Sequence, residues 1–150
     1  MKTMMKALVC VGFSVTASIS HAACSFDLEV GDYLKFSAAD MTVEKSCESI
    51  TVNLTHAGTM AANIMGHNWV LSTAADIDAV AADGISAGLD ANYVMPGDTR
   101  VLAVSSVVGG GETTSLSFST DALTADGDYL FFCSVPGHSY SMRGQFIVQP

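Results

Sequence analysis

Between Cys24 and Val30 every second residue is apolar: Cys24, Phe26, Leu28 and Val30 fall on one side, Ser25, Asp27 and Glu29 on the other. That is the period of a strand with one face buried. The same period returns in Leu34 and Phe36 against Tyr33 and Lys35, in Ile50, Val52 and Leu54 against Thr51, Asn53 and Thr55, and again over 100–108, 112–119, 128–133 and 144–149. Gly109-Gly110-Gly111 separates one pair of these segments and Asp126-Gly127 opens another, both turn signals. Only "STAADIDAVAADG" departs. There Thr73 stands three residues before Asp76 as a capping pair, Ile77, Val80 and Ala81 share a helical face, and Gly84 offers a stop. This predicts one short helix over 74–83. Short half-buried strands need a second sheet to cover the first. The expected fold is therefore all-β, a Greek-key β-sandwich with one short helical insertion.

The chain begins MKTMMK, continues through an uncharged run over 7–19, and reaches Ser20-His21-Ala22 ahead of Ala23. These are the three regions of a secretory signal, with cleavage expected after Ala22. The run falls short of the roughly 20 apolar residues a spanning helix needs, and His21 stands where a lipid-acceptor Cys24 would want an aliphatic residue. Residues 1–22 are thus read as a signal peptide and 23–150 as one mature domain without membrane insertion, placed in the periplasm. Cleavage removes Lys2 and Lys6 and leaves four basic residues against fifteen acidic ones, a formal net charge of 4 − 15 = −11. Lys35, Lys45, Arg100 and Arg143 cannot make the basic cluster that phosphate binding requires, which excludes nucleic acid as a partner. Three cysteines remain. A Cys24–Cys47 bridge would close a loop worth roughly 3 kcal/mol in the chain-entropy model and leave Cys133 as the odd thiol, where reactive or metal chemistry is to be sought.

That thiol sits in "FFCSVPGHSYSM", with His138 five residues on and Met142 four beyond that. A thiolate, imidazoles and a thioether form the donor set that suits copper cycling between Cu(I) and Cu(II). The second imidazole is expected from His67. It follows Gly66 in "MGHNWV" at the opening of a strand, where the backbone can bring both the Gly66 carbonyl and the ring to a metal. His56, in "LTHAG", ends a strand before a turn and is expected to pack or cap there. Taken one at a time, a free cysteine is usually a small buried hydrophobe and a lone methionine gap filler. The spacing C-x4-H-x3-M with a Gly-His upstream is what lifts the metal reading above that. Zinc would use the same cysteine and histidines but has little use for a thioether. A Cys133–His138 nucleophile lacks a third residue to orient the imidazole.

The stretches "TVNLTHAG", "NIMGHNWVLSTAADIDAV", "DGISAGLD" and "FFCSVPGHSYSMRG", with the Cys24 and Cys47 pair, resemble the azurins, bacterial type 1 (blue) copper proteins of the cupredoxin fold, over nearly all of the mature chain. The resemblance implies one copper held in a plane by His67, Cys133 and His138, with Met142 and the Gly66 carbonyl as weak axial contacts. It also implies that Asn68 holds the loop by hydrogen bonds, that Trp69 is the buried indole of the core, and that His56 is a non-ligand histidine near the site. Val135 stands where azurins often carry an aromatic residue, and Val104 where they often carry a surface histidine.

The expected function is a periplasmic carrier of single electrons with no reaction of its own, the alternative being copper storage or delivery. A copper oxidase or nitrite reductase needs further copper sites, and after His67 and His138 only His56 is left. Partners are expected among redox proteins such as c-type cytochromes or periplasmic reductases and oxidases, the carrier itself being a monomer. Their docking surface is expected in the uncharged run holding Met60, Ile64 and Met65, beside Val135, Pro136 and Gly137.

Overall fold

The computed structural model describes residues 24–150; the segment 1–22, read as a signal peptide, lies outside the described residues. Eight strands are described: β1 Ser25–Val30, β2 Asp40–Glu44, β3 Ser49–His56, β4 Val70–Thr73, β5 Val101–Val104, β6 Thr113–Ser119, β7 Tyr129–Phe132 and β8 Arg143–Gln149. They form a three-stranded sheet in the order β1-β3-β6 and a five-stranded sheet in the order β2-β8-β7-β4-β5. β1 lies parallel to β3 and β2 parallel to β8, and every other pairing is antiparallel. The all-β sandwich read from the alternation is the fold observed.

Its core follows from the strand periods. Leu28 and Val30 of β1 and Ile50, Val52 and Leu54 of β3 face Met41, Val43, Phe131, Phe146 and Val148 of the other sheet, with Trp69 between them. β7 reads as an unbroken apolar run and β4 opens on the apolar pair Val70-Leu71 before Ser72 and Thr73, because both strands are covered on both faces. Leu71 and Phe131 enter the sandwich core, while Val70 and Phe132 turn outward and pack under Ile77, Val80 and Ala81 of helix α2, Ile77–Ala87. The buried Trp69 indole Nε1 has no hydrogen-bond partner, a desolvation cost of about 1–3 kcal/mol carried by the aromatic packing around it.

Three expectations need correction. The alternation at 33–36 is not a strand. It is a loop with a single bridge between Gly31 and Tyr33, in which Phe36 is buried as an anchor while Tyr33 and Leu34 are exposed. The paired strand nearby is β2, whose Met41 and Val43 point inward. The long segment 100–108 shortens to β5, with an isolated bridge from Val108 to His67. Helix α2 begins later and ends later than 74–83. The Thr73 hydroxyl bonds the Asp76 carboxylate at 2.7 Å rather than a backbone N–H, and the helix runs through Gly84 to Gly88, whose φ of 76° ends it. A single turn α1, Ala62–Met65, and a 3-10 turn, Leu89–Ala91, add to it.

The strand directions give the sandwich two ends. β7 runs into Cys133, so loops 31–39, 57–69, 105–112 and 133–142 gather at what we call the near end. Loops 45–48 and 120–128 close the far end. There Cys24 and Cys47 form the disulfide, Thr120 Oγ1 donates to the Cys47 carbonyl at 2.6 Å, and the Lys45 ammonium donates to the Thr120 and Leu123 carbonyls at 2.8 and 2.5 Å.

Gly84 yields a prediction in which two rules compete. Replacing a mid-helix glycine by alanine ordinarily stabilises by up to about 1 kcal/mol, but a Cβ here would strike the backbone carbonyl of Tyr93. Overpacking against backbone should win, so Gly84→Ala is expected to destabilise by about 1–3 kcal/mol in urea unfolding; a stabilised variant would show that the 93–94 loop yields freely.

Candidate metal centre

The ligand loop is shaped by its own backbone. As β7 ends, the Cys133 N–H donates to the Met142 carbonyl at 3.0 Å, and the Met142 N–H returns to the His138 carbonyl at 2.9 Å. The His138 N–H bonds the Val135 carbonyl at 3.0 Å, and Gly137 takes the left-handed φ of 83° that the tight turn demands. Cysteine, histidine and methionine thus stand at the start, middle and end of one closed turn. His67 arrives from another loop and is clamped by a reciprocal pair of backbone bonds with Val108, at 3.0 and 2.8 Å. Gly66 precedes it because a Cβ there would meet the Ala62 carbonyl and the Val107 side chain.

These elements bring His67, Cys133 and His138 together, all buried, with one donor atom from each lying within 4.8 Å of the others. Cys133 Sγ lies 3.6 Å from His138 Nδ1 and 3.9 Å from His67 Nδ1. Donors about 2.0–2.3 Å from a common ion stand roughly 3.4–4 Å apart, so the two sulfur–nitrogen spacings suit a shared metal. His67 Nε2 lies 2.8 Å from the Gly31 carbonyl. A carbonyl can only accept, so Nε2 carries the hydrogen and Nδ1 keeps its lone pair toward the sulfur. Burial pushes the His67 imidazole down to about 4 and lowers that of His138. Burial also pushes the Cys133 thiol up to about 11, against backbone N–H groups of Asn68 and Val135 that favour the thiolate. Met142 is wholly buried in the core cluster beside Cys133.

The remaining expected residues fall as follows. Asn68 ties the two ligand segments together: its Oδ1 accepts the Ser134 N–H at 2.9 Å, and its Nδ2 donates to Ser134 Oγ and to the Asn92 carbonyl, both at 2.8 Å. His56 is fully buried and holds no free nitrogen. Its Nδ1 accepts the Gly58 N–H at 3.0 Å and its Nε2 donates to the Met65 carbonyl at 2.9 Å, while the ring stacks on His67 with centroids 5.2 Å apart. Met60, Ile64, Pro136 and Gly137 are exposed and Met65 is half-buried, but Val135 is turned inward and buried.

Several residues that shape the site carried no sequence signal. Gly31 acts through a carbonyl that any residue would have. Asn92, in the left-handed region at φ 54°, accepts the Val107 N–H on its Oδ1 at 2.9 Å and the Ser134 hydroxyl on its carbonyl at 3.1 Å. It therefore joins both ligand segments. Asp32 accepts the Thr59 and Met60 N–H groups at 2.9 and 3.0 Å, bonds that hold its carboxyl below the usual range. The Gly109-Gly110 pair, which reads as a turn, is needed because a Cβ at either would collide with the 59–62 backbone.

Residues 22–149 match the model of the copper binding proteins of the plastocyanin/azurin family. The chain is 51% identical over 123 residues to an azurin of Pseudomonas denitrificans, covering 82% of this chain and 96% of that one. It is 50% identical over 129 residues to an azurin of Bordetella pertussis, covering 86% of each. Among solved structures, an azurin (Az-iso2) of Methylomonas sp. strain J superposes with a TM-score of 0.83 at 44% identity, covering 86% of this chain and all of that one.

At pH 7 the metal-free site holds neutral imidazoles and a protonated thiol, so binding one divalent metal is expected to release about one proton, from Cys133, in weakly buffered titration. Release of two or more would place protons on the imidazoles. Because the folded-state value of His67 lies below its unfolded value of 6.5, its contribution to stability is full above about 6.5 and lost as pH falls toward 4. The thermal midpoint of the metal-free protein should fall across that window.

Proposed function

We propose a function for this chain from one premise: it belongs to the plastocyanin/azurin family of copper-binding proteins. It is a blue copper protein that carries single electrons at one type 1 copper. The observation that supports this most directly is the buried His67–Cys133–His138 set with its donor atoms already at metal-binding spacing. Copper bound there supplies the chemistry, passing between Cu(I) and Cu(II) as one electron is taken up or given away.

The chain's own residues do the rest. His67, Cys133 and His138 would hold the ion, with Met142 and the Gly66 carbonyl as weaker donors beside them. The Gly31 carbonyl fixes the His67 tautomer, and Asn68 keeps the two ligand segments in register. Because each donor is anchored by backbone bonds within a packed sandwich, neither oxidation state can pull the site toward its own preferred shape, and little rearrangement accompanies transfer. The core excludes water from the sulfur. Residues 1–22 direct export to the periplasm and are removed, and the mature chain works there as a monomer; no helix among the described residues is long and apolar enough to cross a membrane.

Electrons leave through the His138 edge, which is 8% exposed; Pro136 and Gly137 are exposed just before it in the ligand loop, and Met60 and Ile64 are exposed on the near-end loop that leads to His67. An uncharged surface lets redox partners such as c-type cytochromes or periplasmic reductases and oxidases approach closely. We read the chain as a carrier with no reaction of its own.

The purified copper-loaded protein is expected to be intensely blue and to bleach and recolour reversibly, and Cys133→Ser to lose the colour; a blue Cys133→Ser variant would refute the ligand assignment. Ile64, at 66% exposure, can take a charge without disturbing the core. Ile64→Lys should leave the visible spectrum unchanged and slow electron self-exchange about tenfold or more; unchanged exchange would place the electron port elsewhere.

A further inference from the structure

Fifteen acidic residues stand against six basic ones in this chain, so the placement of the few cations decides how a charged partner meets it. Two of the four in the mature chain are fully engaged. Lys45 donates to carbonyls at the far end, and Arg100 lies between Asp98 and Asp83 at 2.6 and 2.7 Å. The other two, Lys35 and Arg143, line one cavity of about 240 Å³ together with Leu34 and Ser141, and no carboxylate lines it. The cavity opens on the flank of the ligand loop, since Ser141 directly precedes Met142.

Its cations are presented differently. Lys35 is exposed on the loop that Phe36 anchors. Arg143 is held in place: its Nε donates to the Ser139 carbonyl at 2.7 Å, and the guanidinium lies 5.8 Å from the centre of the exposed Tyr140 ring. The pairing of Arg143 with Asp78, at 3.2 Å, involves a carboxylate that is almost fully exposed, and such pairs hold weakly.

The rest of the charge is polarised about this cavity. Glu44, Glu48, Asp121, Asp126 and Asp128 cluster on and beside the far-end loops. The near-end loops carry only Asp32 and Glu112, and both accept backbone N–H groups, from Thr59 and Met60 and from Gly109. The carboxylates nearest the cavity are Asp40, which follows the lining Ala39, and the exposed Asp78 paired with Arg143; Lys35 and Arg143 stand at the rim of the exposed apolar surface formed by Leu34 and Tyr140.

We propose that Lys35 and Arg143 form a docking subsite for a carboxylate on the rim of a protein redox partner. This rests on the electron-carrier reading and deepens it. An apolar centre with a charged rim is the usual anatomy of a transient interface. A guanidinium pre-set by its own loop loses little freedom on taking up a carboxylate. The subsite orients the partner over the ligand loop and opposes approach to the acidic far end.

The test uses the copper-loaded mature protein and, as probe, a c-type cytochrome whose lysines have been succinylated so that it presents carboxylates. Lys35→Gln at the cavity and Ala122→Glu at the exposed far end change the net charge by the same single unit. Lys35→Gln is expected to slow electron transfer to the probe by about threefold or more at low salt, with Ala122→Glu doing much less and the difference fading at high salt. Equal slowing by both variants would mean that only total charge matters and would overturn the subsite. Saturable inhibition by free malonate at constant ionic strength would make the cavity a site for small anions and overturn the protein-docking assignment. A reversible one-electron voltammetric wave from each variant shows separately that the carrier reading stands whatever the cavity does.

Discussion

A single buried amide, Asn68, holds the near end of this molecule together. The segments that carry His67 and Cys133 are far apart in the chain, and Asn68 joins them by accepting from one atom of Ser134 and donating to another. Asn92 completes the knot through its carbonyl and its side chain. Every polar atom of the Asn68 side chain drawn on is satisfied by a neighbour, which is why the group can be buried without loss. Removing it would leave the Ser134 N–H without its acceptor beside a sulfur that needs a dry, fixed surround, the Ser134 hydroxyl keeping only the Asn92 carbonyl.

What could be read from the sequence was whatever lies close together along it. Cys133, His138 and Met142 fall within one turn, and their spacing alone announces a soft metal site. His67 is distant, and what singled it out was a local sign, the glycine before it at the opening of a strand. The groups acting through backbone escaped notice. A Gly31 carbonyl orienting an imidazole, or an Asn92 carbonyl receiving two donors, uses an atom common to all residues, so no side chain marks it. The fold was legible for the same reason wherever alternation meant one buried face. It misled at 33–36, where a crossing loop buries Phe36 and happens to alternate, and at Gly84, where a glycine chosen to admit the Tyr93 carbonyl looks the same in sequence as one that ends a helix.

The two ends of the sandwich divide the labour. The far end is secured by a disulfide, a lysine reaching carbonyls and a threonine hydroxyl bonded to the Cys47 carbonyl, with exposed carboxylates around them. The near end is secured by buried imidazoles in a row, His56 stacked on His67 and His67 tilted against His138, at centroid separations of 5.2 and 5.0 Å. Glycines there let the backbones approach. His56 contributes to this by holding the turns at Gly58 and Met65, with no nitrogen to spare for a metal.

The last strand has a consequence for how the chain reaches this state. β8 pairs on one side with β7, its near neighbour in the chain, and on the other with β2, aligning Asp40 with Gln145 and Glu44 with Gln149. That second pairing spans most of the described residues, and such non-local contacts come late because their loop-closure entropy must be met first. The ligand loop runs directly into β8 through Met142 and Arg143. A chain emerging from its N-terminus can therefore form its disulfide and the β1–β3 pair long before the donors are gathered, and it acquires a competent pocket only when β8 has been delivered.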